Sequence, residues 1–546
     1  MFRNQTSITT QKDKAYRNTS SKQIPKTIHE PQENQALCSF FTEYVFTKRQ
    51  RPEVPSSLDL LTPIYVNAKP DSALFPVVSA VAFAHLSLKP DRRQLDTRAK
   101  QLYSFAVTSV KNALANPVKS QSDDTLLAIH LLSLYEGLTA NAETITTWGS
   151  HAAGAAALAT YRTGEMRHNW TSRALYWIIC ALFIIRNTLH CKPMDPFRTL
   201  HDVVSKSIAP QMAPATEGDK LTWLSMKVPL LRSIAARVMR QPVTPTLAAE
   251  LEELLHHARL VDQELSSWGF DLPPTWRVRR VGYASRKQGP IELADCWPGP
   301  IDAYYNLWVC NYWNNQRFNR IFCQSIILNC IERLVPPTRY TERNDYRVAL
   351  IMLRRMVDEI CASIPFHLKD KGLFYDYAEK FDNARWDPDS RTHSTPAGIE
   401  TTLDADNLSQ GIGAYVATYA LYIAHSVVCI HQDQKAWING RLDYIIKNYH
   451  IGGASVLKAR GISSQQNGRA PSASDMAPPP YAPFENQDSP SSTEAEIESP
   501  LRKPSSDESA FLDPDGFCNI IPKLPAKNSS EDKPSQLYSY FLPLSK

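Results

Sequence analysis

Six places in this 546-residue chain carry side chains that could do chemistry. His256 and His257 have the imidazoles of metal ligands, but adjacent helical positions point to different faces and no HExxH pattern supplies a second ligand and a base. They read as ordinary helix residues. His190 with Cys191, and His425 with His431, have no partners at metal-ligand spacing and read as satisfied core or surface residues. Asp382, Asp387 and Asp389 form an acidic stretch without the alternating acids and central glycine of a calcium loop. Asp123 and Asp124 are the nearest approach to an aspartate-rich metal motif of the terpene-synthase kind. They lack a third acid, and they stand at a helix start where capping accounts for them. Arg317 and Arg320, with Trp313, could form a polar binding site, and more commonly such arginines bridge helices. No GxxxxGK[ST], no GxGxxG after a strand and no GxSxG is present, so phosphate-loop, dinucleotide and hydrolase-elbow chemistry have no anchor. The expected catalytic, cofactor and metal sites are none, and no residue is assigned to nucleic acid.

The elements that would position such groups are helices. In "TWGSHAAGAAALATYRTGEM" (147–166), Trp148, His151, Ala155 and Leu158 recur at steps of three and four, with Thr147 as cap and Gly164 as stop. Gly154 and Ala157 remove bulk from the neighbouring face, so another helix can approach closely there. Upstream, "SDDTLLAIHLLSLYEGL" is apolar nearly all round from Leu126 to Leu138, which predicts a central helix with Ser122 or Asp123 as its cap. Further helical patterns run through Ala73–Leu88, Leu95–Leu114, Arg173–His190, Tyr304–Glu332 and Asp345–Ser363, whereas strand alternation hardly appears. The fold expected is all-α: a large irregular multi-helix array with disordered N- and C-terminal tails. Residues 1–35 are polar and basic, 36–460 hold the helical domain with a polar insertion at about 382–400, and 461–546 turn to Ser, Pro and acids.

Composition sets the outer limits. A 43% hydrophobic, 21% charged chain holds enough apolar content for a large core. The balance of 60 Lys+Arg against 55 Asp+Glu, net +5, is too slight to imply nucleic acid or membrane binding through charge alone. Ten scattered cysteines (Cys38, Cys180, Cys191, Cys296, Cys310, Cys323, Cys330, Cys361, Cys429 and Cys518) without a CxxC pair read as reduced core thiols of an intracellular protein. The N-terminus lacks the apolar core of a signal peptide. The most apolar run, Ala174–Ile185, is shorter than the roughly 20 residues a bilayer requires and is expected to be a buried core helix, with no membrane partner.

The sequence resembles the regulatory domain of fungal-specific transcription factors, the large helical region that normally follows an N-terminal zinc cluster. The resemblance spans most of residues 36–460. It is carried by "LLAIHLLSLYEGL" followed by "TWGSHAAGAAALATYRTGEM", then "VDQELSSWGFDLPPTW", "YYNLWVCNYWNNQRFNRIF", "EICASIPFHL" and "AWINGRLDYIIKNYHIGGA". It implies an all-helical scaffold, in which the Gly/Ala-rich helix is a packing element, and a role in the nucleus as a transcription regulator, by family habit often of specialised metabolism. It does not imply an enzyme. The zinc cluster itself needs C-x2-C-x6-C and a similar second half, and only Cys38 precedes residue 180. Two readings stay open: a chain that begins downstream of the cluster, or a regulator without its own DNA-binding module. Specific recognition of bases requires a rigid element, so no sequence-specific DNA binding by this chain alone is expected.

Partners are expected accordingly. "DESAFLDPDGFCNII" surrounds Phe511, Leu512 and Phe517 with Asp507, Glu508, Asp513 and Asp515, and "LYSYFLPL" adds Leu537, Tyr538, Tyr540, Phe541 and Leu542. Acids keep such aromatics solvated and available to a groove, so this tail fits a coactivator or the transcription machinery, or a patch on its own domain. DNA contact would then come from a zinc-cluster protein bound to the helical domain, or from a homo-oligomer. Basic stretches at Lys48, Arg49 and Arg51, and at Arg277, Arg279, Arg280, Arg286 and Lys287, could serve nuclear import, although such short runs are usually just exposed loops. The alternatives are a helical scaffold protein without a transcriptional role and, further off, a helical enzyme such as a terpene synthase.

Overall fold

The computed structural model describes residues 31–45, 56–141, 150–162, 169–207, 214–286, 288–368 and 410–466. Helices dominate: α1 (Gln32–Tyr44), α2 (Ser57–Asn67), α3 (Leu74–Ser87), α4 (Asp96–Ala115), α5 (Asp123–Thr139), α6 (Ser150–Tyr161) and α7 (Trp170–Leu189) form the first half. The second half runs through α8 (Leu200–Ser205), α9 (Glu217–Ser225), α10 (Val228–Val238), α11 (Pro245–Ser267), a hairpin β1 (Arg279–Ala284) and β2 (Gly299–Ala303), and α12 (Leu307–Leu334). It closes with α13 (Pro337–Tyr340), α14 (Asn344–Leu368), α15 (Gln410–Ser426), α16 (Gln432–Tyr449) and α17 (Gly452–Gln466).

Local chemistry sets several helix starts. Ser56 with Asp59, Thr199 with Asp202 and Thr216 with Asp219 make reciprocal capping boxes that satisfy backbone N–H groups left open at α2, α8 and α9. The two most enclosed helices organise the halves. α5 packs against α2, α3, α4, α6, α7 and α17, and buries Leu126, Leu127, Ile129, Leu131, Leu132 and Leu138, as its all-round apolar pattern predicts. α12 packs against α9, α10, α11, α14 and α15. One continuous apolar core joins both halves. The smooth helix α6 lies between α5 and α7 with His151, Gly154, Ala155 and Leu158 buried; Thr147, Trp148 and Gly164 fall outside the described residues. Close approach is explicit at Gly413, where a Cβ would run into the His367 carbonyl and push α15 away from the end of α14.

Four sequence expectations change. The basic run at 277–287 includes a strand: Arg279 and Arg280 lie on β1, paired antiparallel to Ala303 and Asp302, with a register shift between Arg280 and Gly282. Its alternation was invisible because the hairpin is only half buried and one strand carries Gly and Pro. Ser122 occupies the cap position of α5 without accepting a cap bond; its hydroxyl donates to the Lys119 carbonyl at 2.6 Å. The apolar run at 174–185 belongs to a 20-residue helix, α7, which is long and apolar enough to cross a bilayer. Here it is packed against α5, α6, α9 and α10 with Leu175, Tyr176, Trp177, Ile179 and Ile184 buried, so packing rather than length supports its placement in the core. Helical structure also reaches beyond the expected bounds, from Gln32 to Gln466. The segments expected to be disordered, 1–30 and 467–546, and the insertion at 382–400 with Asp382, Asp387 and Asp389 lie outside the described residues, as do Lys48, Arg49, Arg51 and Lys287.

Candidate functional site: buried polar ties between helices

The polar side chains with the strongest constraints converge on α12. Arg320 donates from Nε and Nη2 to the two carboxylate oxygens of Asp262 on α11, at 2.9 and 3.1 Å, with both residues buried. Three residues earlier, Arg317 donates from Nη1 to the Tyr304 hydroxyl at 3.0 Å and to Asn314 Oδ1 at 2.8 Å, and its Nε reaches Glu359 of α14 at 3.3 Å. The guanidinium also sits 5.6 Å from the Trp313 ring centroid and 5.8 Å from that of Tyr304. The two arginines therefore bridge helices, one to α11 and one to α14, and leave no open face for a ligand between them. Burial pushes the Glu359 carboxyl up, but Arg317 and Arg355 more than offset it, and the group lies below its ordinary value.

A second layer lies one turn away. Asn314 Nδ2 donates to Ser363 Oγ at 3.0 Å and to His367 Nε2 at 2.9 Å, while the Ser363 hydroxyl donates to the Ile360 carbonyl at 2.7 Å. The Cys310 thiol is 3.2 Å from the same His367 Nε2. A histidine in contact with a cysteine and an asparagine brings together the side chains of a thiol-nucleophile triad, so their state decides the reading. A reactive cysteine requires a stabilised thiolate and access. All three residues are buried; burial pushes the Cys310 thiol up and the His367 imidazole down to about 3, with Arg317 adding to the latter. Both groups are thus held neutral, the reverse of a thiolate–imidazolium pair. With Nε2 accepting, the proton of His367 resides on Nδ1, which is buried without a hydrogen-bond partner.

Several of the remaining candidates are structural ties too. Asp123 accepts from Arg162 Nη2 and from the Ser172 hydroxyl, both at 2.7 Å, and from Asn169 at 3.2 Å, fastening the start of α5 to the end of α6 and the start of α7. Asp124 accepts from Ser72. The pair therefore works across helices, where the sequence suggested capping alone. His151 on α6 meets the Tyr103 hydroxyl of α4 at 2.8 Å, and Ser150 donates to Glu136 of α5 at 2.8 Å. At the other end of the core Glu43 accepts from Lys89 at 2.7 Å beside His85 at 3.3 Å; burial raises the Glu43 carboxyl, and the two partners reverse this to bring it down to about 2. His257 is buried and bonds the Glu253 carbonyl at 2.8 Å, whereas His256 is exposed. His431 caps α16 by accepting from the Asp433 amide, and His425 is buried on α15. Among the described residues no three His, Cys, Asp or Glu side chains stand together at metal-binding distances.

Cavities at these junctions are small. One of about 10 Å³ lies between α7, α9 and α12, lined by Ile184, Leu221, Thr222, Tyr312, Phe318 and Asn319, about the space of a single water. An open depression of about 240 Å³ at the end of α4 is lined by Asp71, Ser109, Asn112, Ala113, Asn116 and Lys119.

Residues 36–188, from α1 through nearly all of α7, match the family model of the fungal specific transcription factor domain. Over this stretch the chain is similar to that domain. Over 438 residues, covering 79% of this chain and 93% of the relative, it is 24% identical to Transcription factor dbaG of Emericella nidulans. No solved structure matches the chain. Within the fungal specific transcription factor domain the polar ties are those of Asp123, Glu136, His151 and Glu43, and the Arg317 and Arg320 junctions lie in the helices that follow it. Both matches point to a transcription factor. Sequence reasoning singled out Arg317 and Arg320 but passed over Cys310, Asn314, Ser363 and His367. The available signal was spacing: Cys310, Asn314 and Arg317 recur at four and three along an otherwise enclosed helix, as Ser363 and His367 do along α14.

Proposed function

We propose that this chain is a nuclear regulator of transcription in which the helical array is a rigid interaction scaffold. The observation that carries the reading is the fungal specific transcription factor domain at 36–188, together with a transcription factor relative aligned over 93% of its length. The chemistry of the junctions supports it. The Cys310, His367 and Asn314 cluster is neutral and buried, and Arg317 and Arg320 serve as ties between helices, so the described polar groups hold the scaffold together rather than turn over a substrate. In this reading the C-terminal acids and aromatics at 507–517 and 537–542 engage a coactivator or the transcription machinery. DNA is reached through a partner, a zinc-cluster protein held by the helical domain or a second copy of the chain, and the targets are genes of a specialised-metabolite cluster.

Two measurements test the reading. Fused to a heterologous DNA-binding domain, the full chain should drive a reporter, and removal of residues 501–546 should reduce that output at equal protein abundance while leaving the helical circular dichroism unchanged. Full output from the truncated chain would remove the role of the tail. Titrated against randomised duplexes at physiological salt, the purified chain should enrich no motif, because phosphate contacts alone give weak, salt-sensitive binding. A reproducible motif would overturn the partner requirement. A chromatin-occupancy profile without promoter enrichment would leave a helical scaffold protein outside transcription.

A further inference from the structure

The outer face of α14 combines exposed apolar side chains with unpaired positive charge. Val348 and Ile351, one turn apart, are 46% and 61% exposed. Arg347 and Arg354 flank Ile351 on one side of the face, and Arg355 and Val348 lie on the other, as helical spacing requires. The turn after α15 extends the patch: the Cys429 carbonyl accepts from Arg354 Nε at 2.9 Å, and its neighbour Val428 is 53% exposed. Arg355 is paired with Glu359 at 2.8 Å. Arg347 and Arg354 each use one N–H on a backbone carbonyl, and among the described residues neither has a carboxylate partner. Three exposed branched side chains beside two guanidinium groups with spare donors make a surface suited to an acidic segment carrying large apolar residues.

This chain contains such a segment. Residues 507–517, "DESAFLDPDGF", place Asp507 and Glu508 before Phe511 and Leu512, and Asp513 and Asp515 after them, with no Lys or Arg. Arg347 and Arg354 are seven residues apart, about 10 Å along a helix axis. Five residues separate Glu508 from Asp513, so the acids on the two sides of Phe511 and Leu512 can stand at most about 16 Å apart. Both arginines can therefore be met while Phe511 and Leu512 cover Ile351. The connection is long enough: forty residues separate Gln466 from Asp507, a maximum reach of roughly 130 Å. It starts from α17, which packs on α15, the helix that packs in turn on α14.

We infer that the α14 face formed by Arg347, Val348, Ile351, Arg354 and Val428 is the docking site of the chain's own segment 507–517. Docking there would cover Phe511 and Leu512, so the face and any external partner of the segment would compete. The inference concerns where the segment binds and holds whether or not the segment activates transcription.

The test uses the full chain with Phe511 replaced by photo-reactive p-benzoylphenylalanine, mapped by mass spectrometry after irradiation. Cross-links should fall in 343–358 and 427–430. They should drop at least severalfold in Arg347→Glu/Arg354→Glu and in Ile351→Asp, and return when the first pair is combined with Glu508→Lys/Asp513→Lys. Circular dichroism melts keep each variant interpretable, and Ile351→Asp, at a site already exposed, guards against unfolding by the arginine changes. Mixing heavy- and light-isotope chains separates the occupants. Cross-links within one isotope only support docking in the same chain; mixed-isotope links on α14 would show a second copy as the occupant and overturn the inference. So would links mapping elsewhere, or links unaffected by both sets of variants. Reporter output, measured separately, decides the activation role and does not depend on this result.

Discussion

Replacing Arg320 by leucine should be one of the most damaging single changes available in α12, and replacing Asp262 at the same time should repair most of it. The guanidinium and carboxylate of this pair meet through two bonds at 2.9 and 3.1 Å in the interior between α11 and α12. Arg320→Leu removes both donors and leaves the Asp262 carboxylate buried without its counter-charge, a class of change that destabilises by about 3–5 kcal/mol. A cooperative unit of roughly 400 residues has an unfolding entropy of roughly 0.8 kcal/mol/K, so the midpoint should fall by about 4–6 °C. Arg320→Leu/Asp262→Leu removes the stranded charge along with the tie, and apolar replacement of a whole buried pair is often close to neutral. Calorimetry of the wild type, both single variants and the double variant completes the cycle, and because each single variant strands a charge that the double variant does not, a coupling of about 3 kcal/mol or more is expected. A midpoint within 1 °C of wild type for Arg320→Leu alone, or a double variant worse than either single, would refute the view that this junction is desolvated and mutually dependent.

Gly154→Leu should destabilise by about 1–3 kcal/mol, because it adds four carbons to a buried position of α6 between α5 and α7; an unchanged thermal midpoint would contradict the packing. Acid should act first on the buried histidines: burial lowers His130 and His151 to about 4 and His367 to about 3, so the unfolded chain binds protons below pH 6.5 that the folded chain refuses. Stability is then complete above pH 6.5 and is lost as pH falls toward 4, and His367→Asn should flatten part of that loss in a melt-versus-pH series. Glu43 works in a lower window with the same sign: its carboxylate, lowered to about 2, contributes stability above pH 4.5 that disappears between 4.5 and 2, and Glu43→Gln should remove that limb alone.

Helices and their enclosure were readable because both are written in periodicity. The all-round apolar pattern of Leu126–Leu138 predicts the centre of the first half, and α5 occupies it. What escaped is what depends on partners distant in sequence. Asp123 and Asp124 look like caps from their neighbours, and only the arrival of Arg162, Ser172 and Ser72 makes them ties between helices. Arg280 reads as part of a basic loop until β2 brings the buried Asp302 within 3.3 Å. Cys310 and His367 lie far apart in the chain and inside separate helices, so their contact has no local signature, and their burial, which decides their chemistry, has none either. A histidine or an arginine within an apolar helix signals a polar tie; which residue it meets is a property of the packing.

The placement of these ties also bears on how an irregular helical array keeps one arrangement. Apolar contact is non-directional, so helices packed only through Leu, Ile and Ala can slide or rotate with modest penalty. Bonds such as Arg320 to Asp262, Arg317 to Glu359 and Tyr304, and Arg162 to Asp123 have fixed lengths and angles, and a displacement by one helical turn would strand each charge in the interior. They join α11 to α12, α12 to α14, and α5 to α6, which are the contacts on which both halves are built. A scaffold registered in this way presents its outer faces, including that of α14, in a constant relation to one another. The best-constrained polar residues of the array, Arg317, Arg320 and Arg162, are accordingly turned inward, where they fix the register of the helices they join.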